Sequence, residues 1–389
     1  MDDGLSEARS VFPPSPATIA GALANALYPL DRAQTSADCH PSLSLLTLGE
    51  AQGRPQVTFT GPFLADRDQL YLPAPATMLF RKRNRGEEEE IYRKGLTDPK
   101  SLGVLWPDRE TRLDGERWLP RQIVRPPNGK DWTYESLAAA QIWIPASNFF
   151  EHMAATRMLG GLVKLVFPDV FSSEQRIGIG VNEATRTAKD GQLFAAQHRR
   201  PVLKREGNPV LAALLDDPAD TGQSLGERVL TLGGRGRFAK VTAKPLSLED
   251  FLPRTGKPWR QQSGRIYFRL TAITPLPVGS GPFGFPVDSA PLEFEQLRVH
   301  TAIMPAKPNT VGLWNRLDPQ RVARAVYCHQ PGTTWFVSAD APKSKDPANW
   351  QEAVMRQVLG ARFVSLELAS LGAMGFGALA AGEWPETVI

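Results

Sequence analysis

Residues 231–244 read TLGGRGRFAKVTAK, and Gly234, Gly236 and Ala239 carry the G-x-G-x-x-G/A spacing of a dinucleotide-binding turn. That chemistry needs a strand, the glycine turn and then a helix whose N-terminus meets the pyrophosphate. The residues after Ala239 are KVTAKP. Val241 and Thr242 are β-branched and Pro245 breaks a helix, so the segment reads as a strand. The spacing recurs at Gly375, Gly377 and Ala380, where only nine residues follow, Pro385 among them. No βαβ unit fits there, and neither stretch has the Gly-Lys-Ser/Thr of a phosphate-binding loop. What remains is glycine that admits close backbone approach, or glycine that only turns.

Other residue pairs invite chemistry and fall short of it. Cys39-His40 and Cys328-His329 suggest zinc. Adjacent residues on a strand point to opposite faces, and no C-x-x-C spacing supports them, so no metal site is expected. FEHMAATRM lacks the second histidine of H-E-x-x-H, and G-x-S-x-G does not occur. His198, beside Arg199 and Arg200, is the one base in cationic surroundings. It suits contact with phosphate or sugar, or, in a rival reading, metal-independent RNA cleavage. No catalytic residue and no cofactor is expected.

Charge favours a polyanion. The 389-residue chain has a formal net charge of only +4. Yet Arg228–Arg269 holds ten Lys/Arg against two acids, Glu249 and Asp250. Exposed backbone N–H groups with guanidinium neighbours match a phosphate backbone. Phe238 and Phe376 can each stack on a base, or pack inward as a phenylalanine ordinarily does. The second rival reading is a scaffold whose arginines meet only acidic protein partners.

The elements that must position these residues are short strands between Pro/Gly-rich segments. PPSPATIAGALANALYPL reads as a helix capped by Ser15, with Ile19, Leu23 and Leu27 on one face. QVTFTGPFLADRDQLYLPAPATMLF reads as two strands around a loop. RKRNRGEEEEIYRK is a self-compensating charged loop. WIPASNFFEHMAATRML is a helix capped near Ser147, with Phe150, Ala154 and Met158 as its stripe. Ile177, Ile179 and Val181 begin a hairpin that turns at KDG and carries Arg186, Lys189, Arg199 and Arg200. Residues 203–226 read as a surface connection. RVLTLGG and RIYFRLTAITPL read as strands. A helix, a strand, a glycine loop and a tail close the chain. The fold class expected is α+β, in two units of residues 1–190 and 191–389. Two cysteines fit a reducing cytoplasm, and neither a signal peptide nor a membrane span is read.

FPPSPATIAGAL, YLPAPA, WIPAS, RIGIGVNEATRTAKDGQLFAAQHRRP, LGGRGRF, VGLWN and GAMGFGALAAGEW occur in this order. Together they resemble the Cmr-complex subunit three family, RAMP proteins of type III-B CRISPR systems, from about Phe12 to Trp384. The resemblance implies two ferredoxin-like (RRM-type) modules with long Pro/Gly-rich insertions and a C-terminal glycine-rich loop. It implies a non-catalytic subunit that grips the 5′ handle of the guide RNA (crRNA). It also implies docking on the large Palm-domain subunit and on the first backbone RAMP subunit. Members carry a strand and loop ahead of PPSP, which this sequence is expected to lack. The RNA-contact residues expected are Gly234, Arg235, Gly236, Arg237, Lys240, Lys244, Arg186, Lys189, His198, Arg199, Arg200, Gly375, Phe376 and Gly377.

Overall fold

The computed structural model describes residues 6–9, 12–27, 58–66, 69–81, 102–113, 117–123, 134–154, 171–182, 184–201, 210–216, 227–232, 237–252, 259–287, 296–312, 325–341, 347–365 and 369–384. The strands of the first half are β1 (Ser6–Arg9), β2 (Thr58–Asp66), β3 (Gln69–Pro73), β4 (Met78–Arg81), β5 (Leu102–Leu113), β6 (Arg117–Ile123), β7 (Tyr134–Ser136), β8 (Trp143–Pro145), β9 (Phe171–Val181) and β10 (Ala188–Pro201). Then come β11 (Val210–Asp216), β12 (Glu227–Leu232), β13 (Arg237–Thr242), β14 (Gln261–Gln262), β15 (Arg265–Ala272), β16 (Leu276–Pro277) and β17 (Arg298–Ile303). The last strands are β18 (Asn309–Gly312), β19 (Ala325–His329), β20 (Thr334–Asp340) and β21 (Leu379–Glu383). The helices are α1 (Pro16–Leu27), α2 (Ala146–Ala154), α3 (Pro347–Gly360) and α4 (Ala369–Ala373).

The protein is α+β, with mostly antiparallel sheets. One sheet has the order β11-β2-β3-β8, a second β6-β5-β4-β7 and a third β16-β19-β18. β1, β10 and β9 form a fourth, and β12 and β13 stand as a two-stranded ribbon. In the C-terminal sheet β15 lies between β20 and β21, and β17 lies outside β20. Every neighbouring pair in that sheet is antiparallel. β15 shows why it forms: Ile266, Phe268, Leu270 and Ala272 alternate toward the core that holds Val354, Met355 and Val358 of α3. Arg265, Tyr267, Arg269 and Thr271 take the other face. Burying each large apolar side chain contributes about 1.5–3 kcal/mol.

Several expectations are corrected. A strand does precede Phe12: β1 pairs in parallel with β10, Ser6 opposite Phe194 and Arg9 opposite Gln197. Ser15 starts α1 with its carbonyl, which accepts from Thr18 N–H at 2.9 Å. Its hydroxyl is buried and makes no capping bond among the described residues. α2 buries Phe149, Phe150, His152 and Met153 rather than a Phe150–Ala154 stripe, and Met158 lies outside the described residues. Residues 210–216 are not a connection but a strand on the edge of β2, because VLAALLD is apolar enough to pair there. Of the expected final strand, residues 361–365 are irregular, and the closing strand is β21, within the expected glycine tail. The expected division at residue 190 falls inside β10. The charged block after Arg81 lies outside the described residues.

The two halves share a core. Ile273, Leu359, Ala378 and Ala380 from the second half cluster with Phe63, Leu72, Trp143 and Phe149 from the first. Arg269, fully buried on β15, bridges the halves. Its Nη1 donates to His152 Nε2 at 3.0 Å and to Thr77 Oγ1 at 3.3 Å, and its Nη2 donates to the His152 carbonyl. Burial pulls the Arg269 guanidinium down to about 9, and the nearby Glu383 carboxylate opposes that shift. Burial, and then the Arg269 charge, hold the His152 imidazole well below its usual value. His152 is therefore a neutral acceptor, locked between two donors.

Candidate nucleic-acid interface

The stretch that carried the glycine spacing is a hairpin. β12 and β13 pair antiparallel from Glu227 opposite Thr242 to Leu232 opposite Arg237. Residues 233–236, with Gly234, Arg235 and Gly236, connect them and lie outside the described residues. No helix follows the glycines, so the nucleotide-turn reading fails in the structure as it does in the sequence. Alternation sets the two faces. Leu230 is buried, in a cluster with Ile19, Ala20 and Leu23 of α1 and Phe59 of β2; Leu232 and Val241 pack against it. The opposite face carries Val229, 68% exposed, and Phe238, 78% exposed, together with exposed Thr231 and Lys240. Lys244, just beyond β13, is exposed as well. Arg237 is the first residue of β13.

The charge run does not form one surface. Arg269 is consumed in the core. Arg265 donates to Asp340 at 2.7 Å and to Ser338 Oγ at 3.0 Å. Arg260 covers the Tyr267 ring, 4.7 Å from its centroid. These three cations brace the C-terminal sheet; of the other seven in the run, Lys240 and Lys244 are exposed, and the side chains of Arg228, Arg235, Arg237, Arg254 and Lys257 lie outside the described residues. Within residues 227–244, Arg228, Arg235, Arg237, Lys240 and Lys244 stand against the single acid Glu227.

β9 and β10 form the second expected hairpin, but its turn is not at KDG. Asn182 N–H donates to the Thr187 carbonyl at 2.8 Å, and Asn182 Oδ1 accepts from Ala184 N–H at 3.0 Å. The Asn side chain thus closes the turn ahead of KDG. Arg186 sits exposed at this tip with φ +55. Lys189 falls in the register shift between Ala188 and Leu193. His198, Arg199 and Arg200 pair opposite Glu174, Ser173 and Ser172 near the far end of β10. Ala188 and Arg199 pair opposite Val181 and Ser173, eight residues apart on β9, about 26 Å at 3.3 Å per residue. The tip arginine and the Arg199-Arg200 pair therefore do not converge on one contact.

The glycine loop near the C-terminus is corrected. Gly375 N–H donates to Gly372 O at 3.0 Å, Phe376 N–H to Leu371 O at 3.0 Å and Gly377 N–H to Pro275 O at 2.9 Å. All three amides are spent within the chain. The Phe376 side chain is fully buried against Cys328 and Leu371, so no base reaches it. Gly375 has φ +100, and a Cβ there would lie 3.1 Å from Phe59 O and 3.2 Å from Gly61 O. The close approach that Gly375 permits is to β2, and the one that Gly377 permits is to Phe363 and Val364, neither to an external phosphate.

The Cys328-His329 pair is structural. Cys328 is buried and its thiol is pushed up to about 12 by burial, far from a thiolate. His329 Nε2 meets the Gly284 carbonyl at 3.1 Å, and burial lowers its imidazole. Cys39-His40 lies outside the described residues, among which no group of three metal-ligating side chains occurs. His300 Nε2 lies 2.8 Å from Ser338 Oγ, but that serine is fully buried and its oxygen also accepts from Arg265. No helix among the described residues is long and apolar enough to cross a membrane. From the sequence, Phe238 can either stack on a base or pack inward; it is outside the expected contact set and Val229 is not singled out, yet both are exposed. Their signal was alternation: they share a face with Lys240 when Leu230 faces inward.

A family model described as CRISPR-associated protein (Cas_Cmr3) matches residues 2–384. No curated protein matches the chain. Among solved structures, a chain of a type III-B Cmr-beta assembly bound to cognate target RNA and AMPPnP is 14% identical. That similarity covers 96% of this chain and 89% of the other, with a TM-score of 0.42. A chain of Cmr-beta bound to cognate target RNA is 12% identical, covering 95% and 86%, with a TM-score of 0.41.

Proposed function

The chain belongs to the Cas_Cmr3 family of CRISPR-associated proteins, and from that premise we propose that it is a non-catalytic, guide-RNA-binding subunit of a type III-B Cmr effector. It grips the single-stranded 5′ handle of the crRNA and docks on the large Palm-domain subunit and a backbone RAMP subunit. The observation that carries the reading is the β12–β13 hairpin. One face is fixed to α1 and β2, and the other presents Phe238, Lys240 and the approach to Lys244. A rigid ribbon with cations and a glycine-bearing tip lets main chain approach RNA while Arg and Lys neutralise phosphates. Arg186 at the β9–β10 tip, and His198, Arg199 and Arg200 at the other end of that hairpin, serve separate stretches of RNA or protein. The 375–377 loop is left out of the grip.

The fold supports the same reading in part. The strand order β21-β15-β20-β17, all antiparallel, fits the order of a ferredoxin-like module, with α3 in the crossover from β20 to β21, although the crossover from β15 to β17 holds β16 and no α-helix among the described residues. We assign that module to the second half of the chain. The order β11-β2-β3-β8, which joins three strands of the first half to β11, departs from it.

Salt titration of the full chain with a handle-bearing RNA tests the grip. The logarithm of the affinity falls against log salt with a slope of about −0.7 per phosphate neutralised. The double variant Arg235→Ala/Arg237→Ala binds more weakly and flattens that slope by about 1.4, the share of two phosphates. An unchanged affinity and slope would remove this hairpin from the RNA path.

A further inference from the structure

We propose that the outward face of the β12–β13 hairpin is a stacking platform for one unpaired RNA base. The Phe238 ring lies under the base and Lys240 meets an adjoining phosphate. This rests on the RNA-binding reading and adds to it a contact that reading does not contain.

Three observations carry it. First, Phe238 is 78% exposed, whereas nearly every other described phenylalanine is buried or half-buried. Second, the ring is held outward by the register. Phe238 pairs opposite Thr231, and flipping the ribbon to bury it would expose Leu230, Ala239 and Val241. Third, the apolar area on this face is small and rimmed by polar and cationic groups. Val229 lies diagonally across from Phe238, and Thr231, Lys240 and Thr242 are the other exposed residues of the face. One ring and one valine match the area of a base. A stable protein interface needs about 800 Å² per partner. On this face Lys240 is exposed, with Lys244 exposed just beyond β13, and the register places Glu227 on the same face opposite Thr242; in sequence, residues 227–244 hold five Lys/Arg against that one acid, which suits a phosphate chain. An aromatic face beside cations is how single-stranded nucleic acid is held without selecting the base.

The test uses the full chain and a fluorescently labelled, handle-bearing single-stranded RNA, with affinity read by anisotropy. Phe238→Ala is expected to weaken binding about tenfold with the salt slope unchanged. Phe238→Trp keeps the affinity, and Phe238→Leu, apolar but without a π face, weakens it as Ala does. Lys240→Ala flattens the salt slope by about 0.7. If Phe238→Ala binds RNA like the parent, the platform is wrong and the grip stands. If Phe238→Leu binds like the parent, the contact is merely apolar and stacking is refuted. If Phe238→Ala keeps RNA affinity and loses a partner subunit, the face is a protein contact. A parent chain with no affinity for the RNA overturns both the platform and the grip.

Discussion

Arg269 and His152 illustrate how a charge pattern is divided between surface and core. In the sequence Arg269 is the last of ten cations in a basic run; in the fold it is buried, with a neutral histidine as its acceptor. Nothing local distinguishes it from Arg265 or Lys240, since the partners, Thr77 and His152, lie more than a hundred residues away in sequence. The depressed His152 imidazole makes stability depend on pH. The unfolded chain takes up a proton at about pH 6.5, while the folded protein resists it until well below. The stabilisation is therefore complete above that value and is lost as pH falls beneath it. Urea midpoints are expected to drop between pH 7 and pH 5, and to drop less in His152→Gln, which still accepts a hydrogen bond but does not titrate. Equal pH dependence in the two proteins would place the acid sensitivity elsewhere.

At the level of elements, periodic patterns were legible and contacts between distant segments were not. β9, β12, β13, β15, α1 and α3 follow from alternation or four-residue spacing. β11 was hidden, because a strand edge on β2 is supplied by tertiary pairing. The KDG turn misled because the Asn182 side chain closes the hairpin earlier. Glycines misled most. GFG reads as a ligand-approach loop, yet its amides bond within the chain, and Gly375 lets it lie against β2 while Gly377 lets it lie against Phe363 and Val364. Gly382 serves similarly: an added Cβ would overlap the Met153 carbonyl oxygen of α2. Gly382→Ala is accordingly expected to cost about 2–3 kcal/mol of stability by overpacking. Chemical denaturation measures this, and a change below about 0.5 kcal/mol, the range of ordinary surface substitutions, would mean that α2 and β21 are less tightly joined.

For the molecule as a whole, the α+β class and the family were within reach of the sequence, since ordered motifs run along most of it. The placement of function was only half legible. The basic run splits into residues that brace the C-terminal sheet, Arg260, Arg265 and Arg269, and residues on a projecting hairpin. That split follows from position: Arg265 and Arg269 share one face of β15 and Arg260 covers Tyr267 of the same strand, whereas the hairpin residues belong to a separate two-stranded ribbon. The shared core means that the halves form one support for the hairpin, whose inner face rests on α1 and β2. On the proposed function this hairpin, and not the C-terminal glycine loop, lies on the guide RNA. Ultraviolet crosslinking of the assembled ribonucleoprotein, followed by peptide mapping, tests it most directly. Nucleotide adducts are predicted on the peptides of residues 227–244, at Phe238 above all. Adducts on residues 371–380 with none on 227–244 would contradict it.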